Sequence, residues 1–325
     1  MSWRDRLDRL ARWESVLVAA LAVDILCNAL ISPYFMSAAT WSDATFYFTE
    51  RAVVALPLAL LIIAGEIDIS VAGIIALASV AMGLTAAQGV DTPGVVAVGL
   101  GTGLTAGAVN GVLVTLLRVP SIVATIGTMT LFRGVAYAIL GDRVLKEYPA
   151  SFAVFGQSYA VGLISIELCI FAALAVVTAV LLHHSRLGLA IYAIGANPIA
   201  SRWSGIAVDR YRFLLFCGVG LASGLASVLL TSRLGSTRPS IAQGWELEIV
   251  SIVVLGGVAI QGGKGTIGGV VLAAVLLGFV TFGLGLLNVP GIVMWVVVGA
   301  MLIAVVAIPS LAERLHRRRL PVHTS

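Results

Sequence analysis

The chain has 325 residues, of which 59% are hydrophobic and only 11% charged, where soluble domains carry roughly 25% charged residues. That shortage of charge excludes a water-soluble domain, because too little polar surface exists to cover one, and it leaves lipid as the solvent. The net charge of +4 is small and scattered, so membrane topology explains the positives and no nucleic-acid partner is expected.

The opening segment, residues 1–13, alternates Arg with Asp and leads into a full-length apolar run with no small-residue cleavage site. It reads as a cytoplasmic segment, not a cleavable signal peptide. Ten apolar runs follow, at about 14–33, 52–66, 69–88, 93–117, 120–140, 160–183, 212–232, 247–261, 265–287 and 290–309. A span needs ~20 such residues. The expected fold is therefore all-α: a single transmembrane domain over 1–325, with about ten membrane helices and a basic tail at 310–325. The second and eighth runs are short for straight spans, which suits tilted or broken helices beside a pathway.

Along the chain, ionisable and amide side chains stand out against this apolar background. Asp24 lies in the first run. Glu66 and Asp68 stand between the second and third, in Gly65-Glu-Ile-Asp-Ile-Ser70. Asp68 with Ser70 would cap the following helix, a simpler role than substrate contact; Glu66 has no such simple role. Asn110 in the fourth run and Gln261 at the end of the eighth are candidates for a pathway or for helix-to-helix hydrogen bonds. Arg133 in the fifth either lines a pathway or pairs with an acid on another helix, the ion pair being the commoner outcome. Glu167 lies in the sixth run. Cys27, Cys169 and Cys217 fall in apolar stretches with no metal or disulfide pattern.

The segment between His183 and Arg212 carries a short capped helix: Asn197 as N-cap, Pro198 at the first helical position, and Gly205 as terminator. Ile199 and Trp203 sit four apart on one face, with Arg202 and Ser204 beside them. Such a helix suits docking to a cytosolic partner; the alternative is a helix resting on the bilayer interface, where Trp is favoured. Gly262-Gly-Lys-Gly-Thr266 fails as a phosphate-binding loop, since the first glycine position is Val258 and a glycine follows the lysine. The chain therefore has no ATP site of that kind. The histidines lack metal-ligand spacing and no nucleophile elbow is present, so neither an enzyme nor a metal or other cofactor is expected.

With the N-terminus inside, fourteen of the twenty Lys and Arg fall in inner segments, which places both termini in the cytoplasm. Val119-Pro-Ser-Ile-Val123 resembles Val289-Pro-Gly-Ile-Val293. In spans of opposite direction this suits an inverted repeat, or it reflects only that proline enters helices well.

Four segments carry a resemblance: Glu66-Ile-Asp-Ile-Ser-Val71, Thr125-Ile-Gly-Thr-Met-Thr-Leu-Phe-Arg-Gly134, Gly195-Ala-Asn-Pro198 with Ser204-Gly-Ile206, and Val254-Leu-Gly-Gly257 with Gly262-Gly-Lys-Gly-Thr266. In this order they resemble the ribose-type permease subunits of bacterial ABC importers. The family motif is Gly-Gly-Ile-Asp-Leu-Ser-Val-Gly, from which Glu66 and Ala72 depart. The resemblance implies a cytosolic ABC ATPase, a periplasmic sugar-binding protein, a second permease (identical or homologous) and a bacterial inner-membrane location. It also implies that Asn197 to Gly205 form the coupling helix to the ATPase. Leu234-Gly-Ser-Thr-Arg-Pro-Ser240, Gly244-Trp-Glu-Leu-Glu248 and Glu66 look most similar to rhamnose permeases, with autoinducer-2 permeases next. An ion-coupled secondary transporter, suggested by Asp24, Glu66, Asp68, Arg133 and Glu167, is the competing class.

Overall fold

The computed structural model describes residues 3–32, 34–301 and 303; the basic tail expected at 310–325 lies outside them. Helices run in the order α1 (Trp3–Ile31), α2 (Ala38–Phe46), α3 (Thr49–Ile63), α4 (Val71–Ala87), α5 (Thr92–Thr115) and α6 (Ser121–Leu140). A short α7 (Val154–Gln157) precedes a small hairpin, β1 (Tyr159–Val161) with β2 (Ile164–Ser165), paired antiparallel. Then come α8 (Ile166–His184), α9 (Arg186–Ala196), α10 (Pro198–Trp203), α11 (Val208–Leu234), α12 (Trp245–Leu255) and α13 (Ile267–Leu286). A last apolar helix, α14, covers Gly291–Met301.

Over the described residues, every apolar run coincides with a helix. Among the described residues six helices are long and apolar enough to cross a membrane, α2 and α3 form a seventh candidate bent by 51°, and α4, α9 and α14 are shorter apolar helices. The chain is an all-α polytopic membrane protein. Local chemistry moves several boundaries. The helix of the sixth run, α8, starts at Ile166, not 160, because Ser165 Oγ accepts from Leu168 N at 3.1 Å and caps it, leaving the preceding residues to the hairpin. The eighth run stops early: α12 ends at Leu255, with Gly257 in the left-handed conformation at φ 84°. Gln261 is consequently an exposed turn residue beyond the end of α12.

α3 lies at the centre. From Ala52 to Ile63 its residues are almost wholly buried, as expected of a helix that is apolar all round. α11 crosses it and also packs along α5, where Gly103 and Gly107 meet Gly220 and Gly224 backbone to backbone.

Contacts between connections fix the threading. Arg118, between α5 and α6, pairs with Asp209 at the start of α11, and the Gly65 turn after α3 touches Gly195 and Gly262. These connections share one end of the bundle, the α10 end. At the other end Arg233 pairs with Glu50, Arg51 with Glu248, and Leu145 bridges Thr237. The two Val-Pro segments are built alike: each follows a non-glycine residue in the left-handed conformation, Arg118 at φ 58° and Asn288 at φ 55°. Arg118 stands at the α10 end. The Asn288 turn stands at the other, where Gly285 and Phe282 lie against Tyr47. Two like turns at opposite ends are what halves of opposed direction produce.

Candidate functional site

α10 presents exposed apolar side chains at its end of the bundle. Asn197 Oδ1 accepts from the backbone N–H groups of Ile199 at 3.1 Å and Ala200 at 3.0 Å, so the expected N-cap forms, with Pro198 at the first helical position. Ser204 N donates to Ala200 O at 3.0 Å, and Gly205 at φ +83° ends the helix. Ser201 is buried toward the bundle, while Ile199 is 68% and Trp203 88% exposed. Arg202 donates to Asp209 Oδ1 at 2.7 Å, and Arg118 holds the same carboxylate at 3.1 Å. Exposed pairs of this kind contribute little stability, about 0–1 kcal/mol each. Their role is geometric: they fix the orientation of a six-residue helix whose apolar side chains Ile199 and Trp203 are exposed.

A second cluster lies inside the bundle. Asp68 Oδ1 accepts from Ser70 N at 2.8 Å and Ser70 Oγ at 2.6 Å, and its Oδ2 accepts from Asn110 Nδ2 at 3.2 Å. Asn110 Nδ2 also reaches Ser70 Oγ at 2.7 Å, and its Oδ1 accepts from Thr128 Oγ1 at 2.7 Å. Asp68, Ser70 and Asn110 are fully buried, and Thr128 nearly so. Asp68 thus secures the entry to α4, as expected, but Ser70 is not the capping side chain: its hydroxyl is turned to Asp68. The departures from the family motif cause no strain. Gly65 carries the positive φ of 85°, not Glu66. The close approach to α6 falls on Gly73, where a Cβ would lie 2.7 Å from Met129 O, not on Ala72.

Among the described residues Arg133 has no acid within salt-bridge distance. Its guanidinium donates to the carbonyls of Pro239 at 2.9 Å, Ile241 at 3.2 Å and Ala72 at 3.0 Å. The α11–α12 connection folds back to the first turn of α4, and its carbonyls reach the arginine before any acid does. Arg133→Lys loses the planar fork that spans these acceptors. It is expected to cost about 1–2 kcal/mol, read as a lower thermal midpoint in detergent; an unaltered midpoint would contradict this role.

Several charged partners were invisible in the sequence. Glu66 Oε1 pairs with Arg212 Nη1 at 2.8 Å. At the opposite end Glu50 accepts two bonds from Arg233, at 2.7 and 2.9 Å, while Arg51 pairs with Glu248 at 2.7 Å and stacks 4.5 Å over the Trp245 ring. Glu167 is buried at the first turn of α8, and neither carboxylate oxygen meets a hydrogen-bond donor among the described residues. No group of three metal-ligating side chains occurs among the described residues.

A family model described as branched-chain amino acid transport system / permease component matches residues 41–306. The chain belongs to this family. Among its relatives are the autoinducer 2 import system permease protein LsrD of Escherichia coli (strain K12) and its namesake in Shigella flexneri. Each is 33% identical over 314 residues, covering 95% of this chain and 94% of the relative. No solved structure matches. Family and motifs together make this a ribose-type ABC permease subunit, and its apolar helices make it a multi-pass inner-membrane protein.

Proposed function

We propose that this permease forms the translocation unit of a bacterial ATP-driven importer of a monosaccharide, with α10 seated in a separate cytosolic ATPase. The observation that carries the reading is the capped helix with Trp203 and Ile199 bare to solvent, on a chain without a phosphate-binding loop of its own. A periplasmic binding protein delivers ligand at the opposite end, a second permease completes the pathway, and both termini lie in the cytoplasm.

The motif grounds for L-rhamnose are Glu66 and the stretches Leu234–Ser240 and Gly244–Glu248 around the α11–α12 connection. Their contacts are internal: Thr237 is buried against Ser79, and Trp245 and Glu248 hold Arg51. On the motif resemblance L-rhamnose is the first ligand to test, and autoinducer 2 is the second reading, favoured by relatives named for it that span nearly the whole chain.

Trp203→Asp with Ile199→Asp places two charges on the apolar face. Retention of the co-purifying two-domain ATPase is expected to fall at least about tenfold, since buried aromatic anchors contribute ~2 kcal/mol or more to interfaces, and uptake is expected to fall with it. Unchanged retention and uptake would remove the docking reading. Proteoliposomes holding this chain alone test the competing class: uptake driven by a proton or sodium gradient overturns the ATP-driven proposal. Competition between labelled L-rhamnose and autoinducer 2 in the reconstituted complex decides the ligand.

A further inference from the structure

The two helices that flank α10 are each fastened to the α3–α4 turn, α9 through Gly195 and α11 through Arg212. The first point is a backbone stack. Gly195, two residues before Asn197, lies against the end of α3 so closely that a Cβ there would sit 1.8 Å from Ile63 O and 2.4 Å from Gly263 N. Gly263 N donates to that same Ile63 oxygen at 2.8 Å, and a Cβ on Gly262 would lie 3.0 Å from Gly65 Cα. Three connections thus meet with no side chain between them, and close-packed backbone of this kind transmits displacement instead of absorbing it.

The second point is a charge pair. Glu66 Oε1 takes Arg212 Nη1 at 2.8 Å, with the two side chains only 11% and 17% exposed. Arg212 stands one helical turn after Asp209, whose carboxylate holds Arg202 of α10. Glu66 stands two residues before Asp68, whose carboxylate engages Ser70 and Asn110. A single stacked contact leaves rotation about itself free, whereas a strut at a second point removes that freedom.

We infer that Glu66 and Arg212 are positioning residues that make the α3–α4 turn, and the buried Asp68 cluster with it, follow α10 as one body. The inference rests on the reading of α10 as the seat of an ATPase. With the strut cut, the glycine stack still joins the elements, so the ATPase still docks while its movement reaches Asp68 incompletely.

The test uses the full chain with a co-expressed two-domain ATPase, reconstituted in liposomes with the periplasmic binding protein and supplied with L-rhamnose and autoinducer 2. ATPase retention, thermal midpoint, ATP hydrolysis and transport are measured together. Glu66→Gln and Arg212→Gln are expected to keep ATPase retention within about twofold and to lower transport per ATP about tenfold, a size typical of coupling residues. The exchange of Glu66→Arg with Arg212→Glu is expected to restore most of that loss. Transport per ATP equal to the parent in Glu66→Gln overturns the inference while docking stands, as does an exchange no better than the single variants. A parent chain that retains no ATPase overturns the docking reading, and this inference falls with it.

Discussion

Asp68→Ala is expected to cost the permease about 3–5 kcal/mol, enough to deplete folded protein in the membrane. The carboxylate accepts from Ser70 N, Ser70 Oγ and Asn110 Nδ2, and all three residues are wholly buried. Truncation strands these donors away from water, and each unsatisfied buried group costs roughly 1–3 kcal/mol. Asp68→Asn separates geometry from charge. One amide oxygen can still serve Ser70, but its NH2 then faces the NH2 of Asn110, donor against donor. The double change Asp68→Asn with Asn110→Asp returns an acceptor to that contact and leaves an oxygen for Thr128, so it is expected to recover most of the loss. Thermal midpoints of the purified proteins check the series. A double variant no more stable than Asp68→Asn would show that the amide–carboxylate contact is not what holds α4 to α5.

Gly103→Val is expected to be at least as damaging, by a different mechanism. A Cβ at Gly103 would lie 2.4 Å from Gly220 O and 2.7 Å from Gly224 Cα, and one at Gly107 would lie 2.4 Å from Phe216 O. These obstacles are backbone, so no rotamer change relieves them, and α5 must move away from α11. Overpacking typically costs 1–3 kcal/mol and occasionally more; here the separation also abandons contacts along the seam, and a loss above about 3 kcal/mol is expected. Gly101 provides the control on the same helix. Nothing lies within 4 Å of its Cβ position, so Gly101→Ala is expected to be neutral or to stabilise by up to ~1 kcal/mol through helix propensity. Equal thermal midpoints for Gly103→Val and the parent protein would refute the seam as a stabilising contact.

By itself the sequence determined whatever depends on neighbours along the chain. Each apolar run became a helix, because in lipid the backbone must satisfy itself within the segment. Asn197, Pro198 and Gly205 were readable as a capped helix, since a cap is formed by residues a few positions apart. Only the tertiary structure decided the charged partnerships. Glu50 finds Arg233 across 183 residues, Glu66 finds Arg212, and Arg133 is answered by carbonyls from two other segments, not by an acid. It also placed Gln261 in a turn and made Asn110 the hinge of a buried network. A polar side chain in an apolar run announces that it needs a partner, because burying it alone is costly. Which partner it meets depends on how the helices cross, and that crossing is set by glycines whose local pattern marks close approach without naming the helix approached.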